Sequence, residues 1–215
     1  MNAIEVIRQI AGDEVKKQHL LELGIVTSIF PHSQTSDRDN YEINVKLKNR
    51  NLELRKVPVA TQMIGFSYIP HVGDLVLLTF IRGDINGPVI IGRLYNDEDR
   101  PPESQGGEMV YISQDPPNAS LRRLFMKFPS GITLTVTDDL VKTEAGNTVM
   151  TINRDGDVTI NSGANVTVSA TGDIALKAQN ISMDCSQSFS VNAGTSASVE
   201  ASASLDLKGS VVRIN

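Results

Sequence analysis

The chain of 215 residues has no tryptophan, a single cysteine and three histidines, and only 5% of it is aromatic. A lone thiol, Cys185, excludes an intrachain disulfide framework. From Val149 onward Phe189 is the one aromatic, among Ser, Ala, Val and Asn. That mix suits narrow β-structure better than a wide globular core. No apolar run reaches the length of a membrane span. Glu5 and Arg8 stand where a signal peptide needs an apolar stretch, so the expectation is synthesis in the cytoplasm without general secretory export. The net charge is −5, whereas a binder of phosphate backbones needs a basic face, so no nucleic-acid partner is expected.

Catalytic signatures are missing too. His19, His32 and His71 are isolated and read as surface or packing residues. There is no Gly-x-Ser-x-Gly, His-Glu-x-x-His or phosphate-binding glycine loop. Gly156-Asp157 and Gly172-Asp173 are too sparse for a calcium-binding β-roll and read as corners. Asp97, Glu98 and Asp99 sit in a loop that nothing rigid spaces, and read as solvated. The sequence therefore predicts no catalytic, cofactor-binding or metal-binding residues, and no enzyme.

What the chain does have is a repeat in its last third. Apolar residues come in pairs two apart: Met150/Ile152, Val158/Ile160, Val166/Val168, Ile174/Leu176, Ile181/Met183, Phe189/Val191, Ala197/Val199, Leu205/Leu207 and Val212/Ile214. The first members step by 8, 8, 8, 7, 8, 8, 8 and 7 residues. Residues at i and i+2 share one face of a strand and not of a helix. Small or polar residues separate the pair members, and Gly156, Gly163, Gly172, Gly194 and Gly209 fall between pairs. Each octad reads as one short strand and one tight corner, with two side chains inward, and a short fixed period of this kind marks a solenoid or β-helix. Cys185 shares the parity of Ile181 and Met183 and is expected to point inward as a small hydrophobe.

Ahead of the repeat the pattern changes twice. Ile4, Ile7, Ala11 and Val15 predict a helical arm over residues 1–20. Period-two alternation then predicts strands at Ile25–Phe30, Tyr41–Leu47, Leu54–Ala60, Leu75–Phe80 and Pro88–Tyr95. Pro58 suggests an edge or a bulge. Five short strands over residues 21–96 fit a small barrel of the OB type. Residues 97–120 have linker composition, with a short strand expected at Val110–Ile112. A hairpin around Pro129-Ser130-Gly131 joins Leu121–Phe128 to Ile132–Thr137.

Three runs carry a resemblance: Pro70-His71-Val72-Gly73-Asp74-Leu75-Val76-Leu77, Gly83-Asp84, and Gly87-Pro88-Val89-Ile90-Ile91-Gly92-Arg93-Leu94-Tyr95-Asn96. They look like the OB domain of contractile-injection spikes, a family that includes the baseplate assembly protein V spikes of contractile-tailed phages and the VgrG proteins of type VI secretion. Phe128-Pro129-Ser130-Gly131 is similar to the start of the shaft in phage spikes, which would place a β-helix over residues 121–215. The resemblance implies an all-β chain: a short N-terminal helix, an OB barrel, and a C-terminal intertwined trimeric β-helix whose core is the eighteen paired residues. It implies a homotrimer bound to baseplate hub and tail tube proteins, assembled in the host cytoplasm into a virion tail baseplate or equivalent particle. Such a spike would touch the target cell envelope transiently, as it punctures it. Only about 25 residues separate Tyr95 from Leu121, so no lysozyme domain is expected between barrel and shaft. No histidine follows His71, unlike the His-x-His iron tips of short phage spikes, so a PAAR-type tip protein is the expected cap. The lack of a large hub-like region before the barrel favours the phage arrangement over the VgrG one.

Burial arithmetic also points to several copies. Two inward side chains per octad do not offset the ordering of eight residues, so strand ladders between copies must add to them. A single-chain β-helix stays open as an alternative. So do a polysaccharide-degrading β-helix, which needs grouped charged residues along a groove, and an OB module for nucleic acid or oligosaccharide, which needs exposed aromatics such as Tyr41, Phe66 and Tyr68.

Overall fold

The computed structural model describes residues 2–9, 21–113 and 122–213. Residues 3–9 are helical and exposed; the rest of the expected arm lies outside the described residues. The chain divides into two compact units, Met1–Pro117 and Asn118–Asn215. Both are β-structure.

The first unit contains β1 (Leu21–Phe30), β2 (Glu42–Leu47), β3 (Glu53–Pro58), β4 (Leu75–Phe80) and β5 (Pro88–Leu94). They form one antiparallel sheet in the order β3-β2-β1-β4-β5. The long first strand makes this possible: Gly24–Phe30 pairs with β2, while Leu21–Ile25 pairs with β4. The sheet curls until its ends meet. Val59 bridges Ile90 in parallel, and the Ala60 N–H donates to the Ile90 carbonyl at 2.8 Å. A five-stranded sheet closed by a parallel β3–β5 contact is the OB arrangement. Inside it Val26, Ile43, Val45, Leu47, Val57, Val76, Leu78 and Ile90 form the core. Ile43, Val45 and Leu47 are the inward residues that the alternation of the second strand predicts.

Two details shape the barrel. Ile43 pairs with Val57 and Val45 with Leu54, so Arg55 and Lys56 together oppose Asn44 in a bulge. Lys56 takes φ 52°, and the Asn44 side-chain oxygen accepts its N–H at 2.9 Å. The Lys56 ammonium donates to Asp39, which raises its pKa, and lies 3.7 Å over the Phe30 ring. The expected bulge thus occurs, two residues before Pro58. The other detail is the β1–β2 loop, which is organised on one carboxylate. Asp37 accepts N–H groups from Gln34 at 2.9 Å and Ser33 at 2.8 Å, and lies 2.6 Å from His32 Nδ1. The Gln34 N–H, with His32 and Ser33, holds the Asp37 carboxyl below its ordinary value of 3.8. A depressed carboxylate stabilises the fold fully above that value and loses its contribution as pH falls towards the folded pKa. Exchange protection of the Ser33 and Gln34 amides is therefore expected to hold at pH 5 and above and to fall in stronger acid. In Asp37→Asn it should be low and pH-independent after correction for intrinsic exchange.

The second unit opens with β6 (Leu124–Lys127), β7 (Thr133–Val136), β8 (Leu140–Ala145), β9 (Thr148–Asn153) and β10 (Val158–Asn161). Each pairs antiparallel with the next, giving a meander in the order β10-β9-β8-β7-β6. The hairpin around Pro129-Ser130-Gly131 is present, with Gly131 at φ 88° and its N–H on the Phe128 carbonyl. Residues 124–161 were expected to belong to the shaft; within one chain they pair as consecutive hairpins. From residue 163 to 213 every residue is exposed and none joins a strand ladder within the chain. The octad strands expected from Val166 to Val212 therefore have no partner strand among the described residues of their own chain, and these residues form no β-helix within one chain.

Candidate functional surface

The antiparallel register of the meander places directly opposed residues on one face. Leu124 opposes Val136, Val136 opposes Val141, Val141 opposes Ile152, and Ile152 opposes Val158. One apolar row thus crosses all five strands. Two residues along, Met126, Leu134, Thr143, Met150 and Ile160 make a second row, apolar except for Thr143. The opposite face is largely polar: Lys142 pairs with Glu144 at 2.7 Å, and Glu144 accepts the Thr133 hydroxyl at 3.0 Å. Those two donors, Lys142 first, lower the Glu144 pKa. One face is wet and the other greasy, as for a sheet that packs on one side only.

Among the described residues of the second unit, nothing covers the greasy face. Ile152 is 39% exposed and Val158 61%. The same i, i+2 alternation continues past β10, where Val166, Val168, Ile174, Leu176, Ile181, Met183, Phe189, Val191, Val199, Leu205, Leu207 and Val212 are all exposed. Ala197 is exposed as well, and so is the Cys185 thiol, expected inward, in this single chain. Ile214 lies outside the described residues. Of the eighteen paired residues, the structure brings four together: Met150 faces Ile160 and Ile152 faces Val158. Sequence reasoning missed that Leu124, Met126, Leu134, Val136 and Val141 share their face. The signal was there in the spacing: Leu134/Val136 stands two octads ahead of Met150/Ile152, but Lys142 and Glu144 fill the positions between them, and Leu124/Met126 stands ten residues further back instead of eight.

The barrel has a cleft of about 280 Å³ lined by Tyr68, His71, Asp74, Arg93 and, from the 97–113 stretch, Val110, Tyr111 and Ile112. Two of its charges, Arg93 and Asp74, lie against each other. Arg93 donates to the Tyr68 carbonyl at 2.7 Å, lies 4.3 Å over the Tyr68 ring and 3.6 Å from Asp74. Asp74 accepts the His71 N–H at 2.9 Å. Tyr111 meets the Tyr68 ring edge-on at 6.1 Å. The cleft is a clamp that holds part of the expected linker on the barrel. Val110–Ile112, expected as a strand, joins no ladder. Tyr41 is half-buried; its hydroxyl accepts the Tyr68 N–H at 3.0 Å. Tyr41 and Tyr68 are thus engaged with each other, and of the three aromatics Phe66 alone is exposed, at 55%. Phe66 sits on a turn with Met63 and Ile64, braced by the Thr61 hydroxyl on the Met63 and Phe66 carbonyls at 2.9 and 3.2 Å. Among the described residues no group of three or more His, Cys, Asp or Glu could hold a metal ion. His32 is bound to Asp37, His71 stands in the cleft, and His19 lies outside the described residues.

Residues 54–95 match the family model of the Type VI secretion system/phage-baseplate injector OB domain. The match runs from β3 through β5, so the barrel is similar to the OB domain of those injectors and supports a structural role among baseplate components. No curated protein matches the chain.

Proposed function

We propose that this protein is the central spike of a contractile tail or related injection-system baseplate. Three copies would wind their C-terminal thirds about a common axis, with the apolar doublets inside. The single observation that carries this reading is the uncovered apolar surface: two rows across the meander, continued by doublets that stay exposed to residue 212. A patch of that extent on a soluble protein marks an interaction surface. The unladdered octads call for the same partner, because extended backbone away from water needs hydrogen-bond partners from other strands. Copies of the same segment meet both needs at once and cover the strand edges.

The mechanism is mechanical. Interchain ladders and a dry interior make a stiff rod with a Ser-, Thr- and Asn-rich exterior. Sheath contraction would drive it through the target envelope, its one transient contact there. The barrels would form a collar that joins hub and tube proteins, and a PAAR-type protein would close the tip. Neither catalysis nor nucleic-acid binding is required. The place of action is the baseplate of a virion tail or equivalent particle, after assembly in the host cytoplasm. The test is the mass in solution by light scattering. A particle near three times 23.3 kDa is expected, and a monomer at micromolar concentration would overturn the proposal.

A further inference from the structure

The shaft reading leaves one problem, which is register. Seven of the nine doublets are followed at a step of eight or precede none, but Ile174 to Ile181 and Leu205 to Val212 are steps of seven. An octad that is one residue short can slip, and a one-residue slip turns every side chain of a strand to the other face. Charged residues are arranged against that slip. In the position after the second apolar member, Lys177 is followed one repeat later by Asp184, and Glu200 by Lys208. In the position between the apolar members, Asp206 is followed by Arg213. At these two positions all three consecutive-repeat pairs of charges are opposite in sign. Two of them, Lys177/Asp184 and Asp206/Arg213, span the two shortened steps. Ahead of the first apolar member, the like charges Asp157 and Asp173 are two repeats apart, with Asn165 between. All six paired residues are exposed, and among the described residues none has an ion-pair partner in its own chain.

We infer that these are ion pairs between copies of the chain, which fix the register of the shaft, two of them at its shortened repeats and Glu200/Lys208 at the full repeat just before the second. The inference rests on the multi-copy reading above. A chain that turns a corner after each octad carries its next octad to a neighbouring face. The strand it lies against there is the preceding octad of the next copy, about 4.8 Å away. Lys177 of one copy therefore meets Asp184 of another, and Lys208 meets Glu200 in the same way. Opposite charges in contact at these heights hold the pairing, and a slipped register would set them against uncharged neighbours or send them inward.

A zero-length carbodiimide coupling, which joins an amine to a carboxylate only in contact, tests this on the full-length protein. After coupling, boiling and denaturing electrophoresis, species of two and three chain masses are expected, and their digests should contain Lys177 linked to Asp184 and Lys208 linked to Glu200. The Lys177→Gln, Lys208→Gln double variant should lose both peptides while keeping its solution mass. A particle of three copies with neither peptide, or with both confined to single-chain species, would overturn the assigned register and leave the spike reading standing. A monomeric mass before coupling would remove both.

Discussion

Val166→Asp is expected to abolish the assembled particle. In one chain Val166 is 62% exposed. A substitution at so open a site in a lone chain changes stability by no more than about 0.5 kcal/mol. In the proposed shaft the same residue lies near the axis, and three carboxylates enter a dry interior without partners. Leaving a buried charge unpaired costs about 3–5 kcal/mol, and the three also repel one another. The two readings thus differ by up to an order of magnitude in the cost of the substitution, and the solution mass of the variant reads that difference. Loss of the trimer, with the barrel still folded by its amide spectrum, is the expected result. A trimer of unchanged resistance to denaturant would show that the doublets do not line an interior.

Much of this architecture was legible because alternation is a local signal. The strand limits of β4 coincide with its apolar run, and β2 begins one residue after the expected start. The bulge at Arg55-Lys56 was announced by Pro58 but displaced from it, because the Asn44 side chain decides where the extra residue is accommodated. The meander was read as shaft for a physical reason. A step of eight residues between doublets is common to a solenoid coil and to a hairpin with a short turn. Between Ile152 and Val158 the chain takes the hairpin, with Gly156 at φ 103° in its turn. Period alone does not separate the two; pairing direction does, and it is set by contacts beyond the strand itself. The cleft was invisible for a related reason. Tyr68, Arg93 and Tyr111 are far apart in sequence, and no motif spacing joins them. The uncovered apolar rows, by contrast, were half-readable. The doublets announced that something must cover them, while the octad period did not reach Leu124 or Val141 on the same face.

The second large effect is expected at Gly24, whose importance no pattern announced. It lies where β1 serves both neighbours, opposite Leu47 on one side and Val76 on the other. A Cβ there would stand 2.4 Å from Val45 Cγ2 and 3.1 Å from Leu78 Cδ1, with the Lys46 carbonyl oxygen at 3.2 Å. Val45 and Leu78 are both core residues with no exposed surface, so neither can swing away. Gly24→Ala should therefore cost about 1–3 kcal/mol, the range for overpacking a filled interior. The backbone at Gly24 is not in the left-handed region, so the cost comes from contact and not from dihedral strain. That distinction is measurable with a double-mutant cycle. In a Val45→Ala background the closest methyl is gone, and adding Ala at position 24 should cost much less, leaving a coupling of at least about 1 kcal/mol between neighbours in contact. Denaturant midpoints of the barrel transition in the four proteins give the answer. If the two costs simply add, the close approach of β1 to β2 is not what requires glycine at this position.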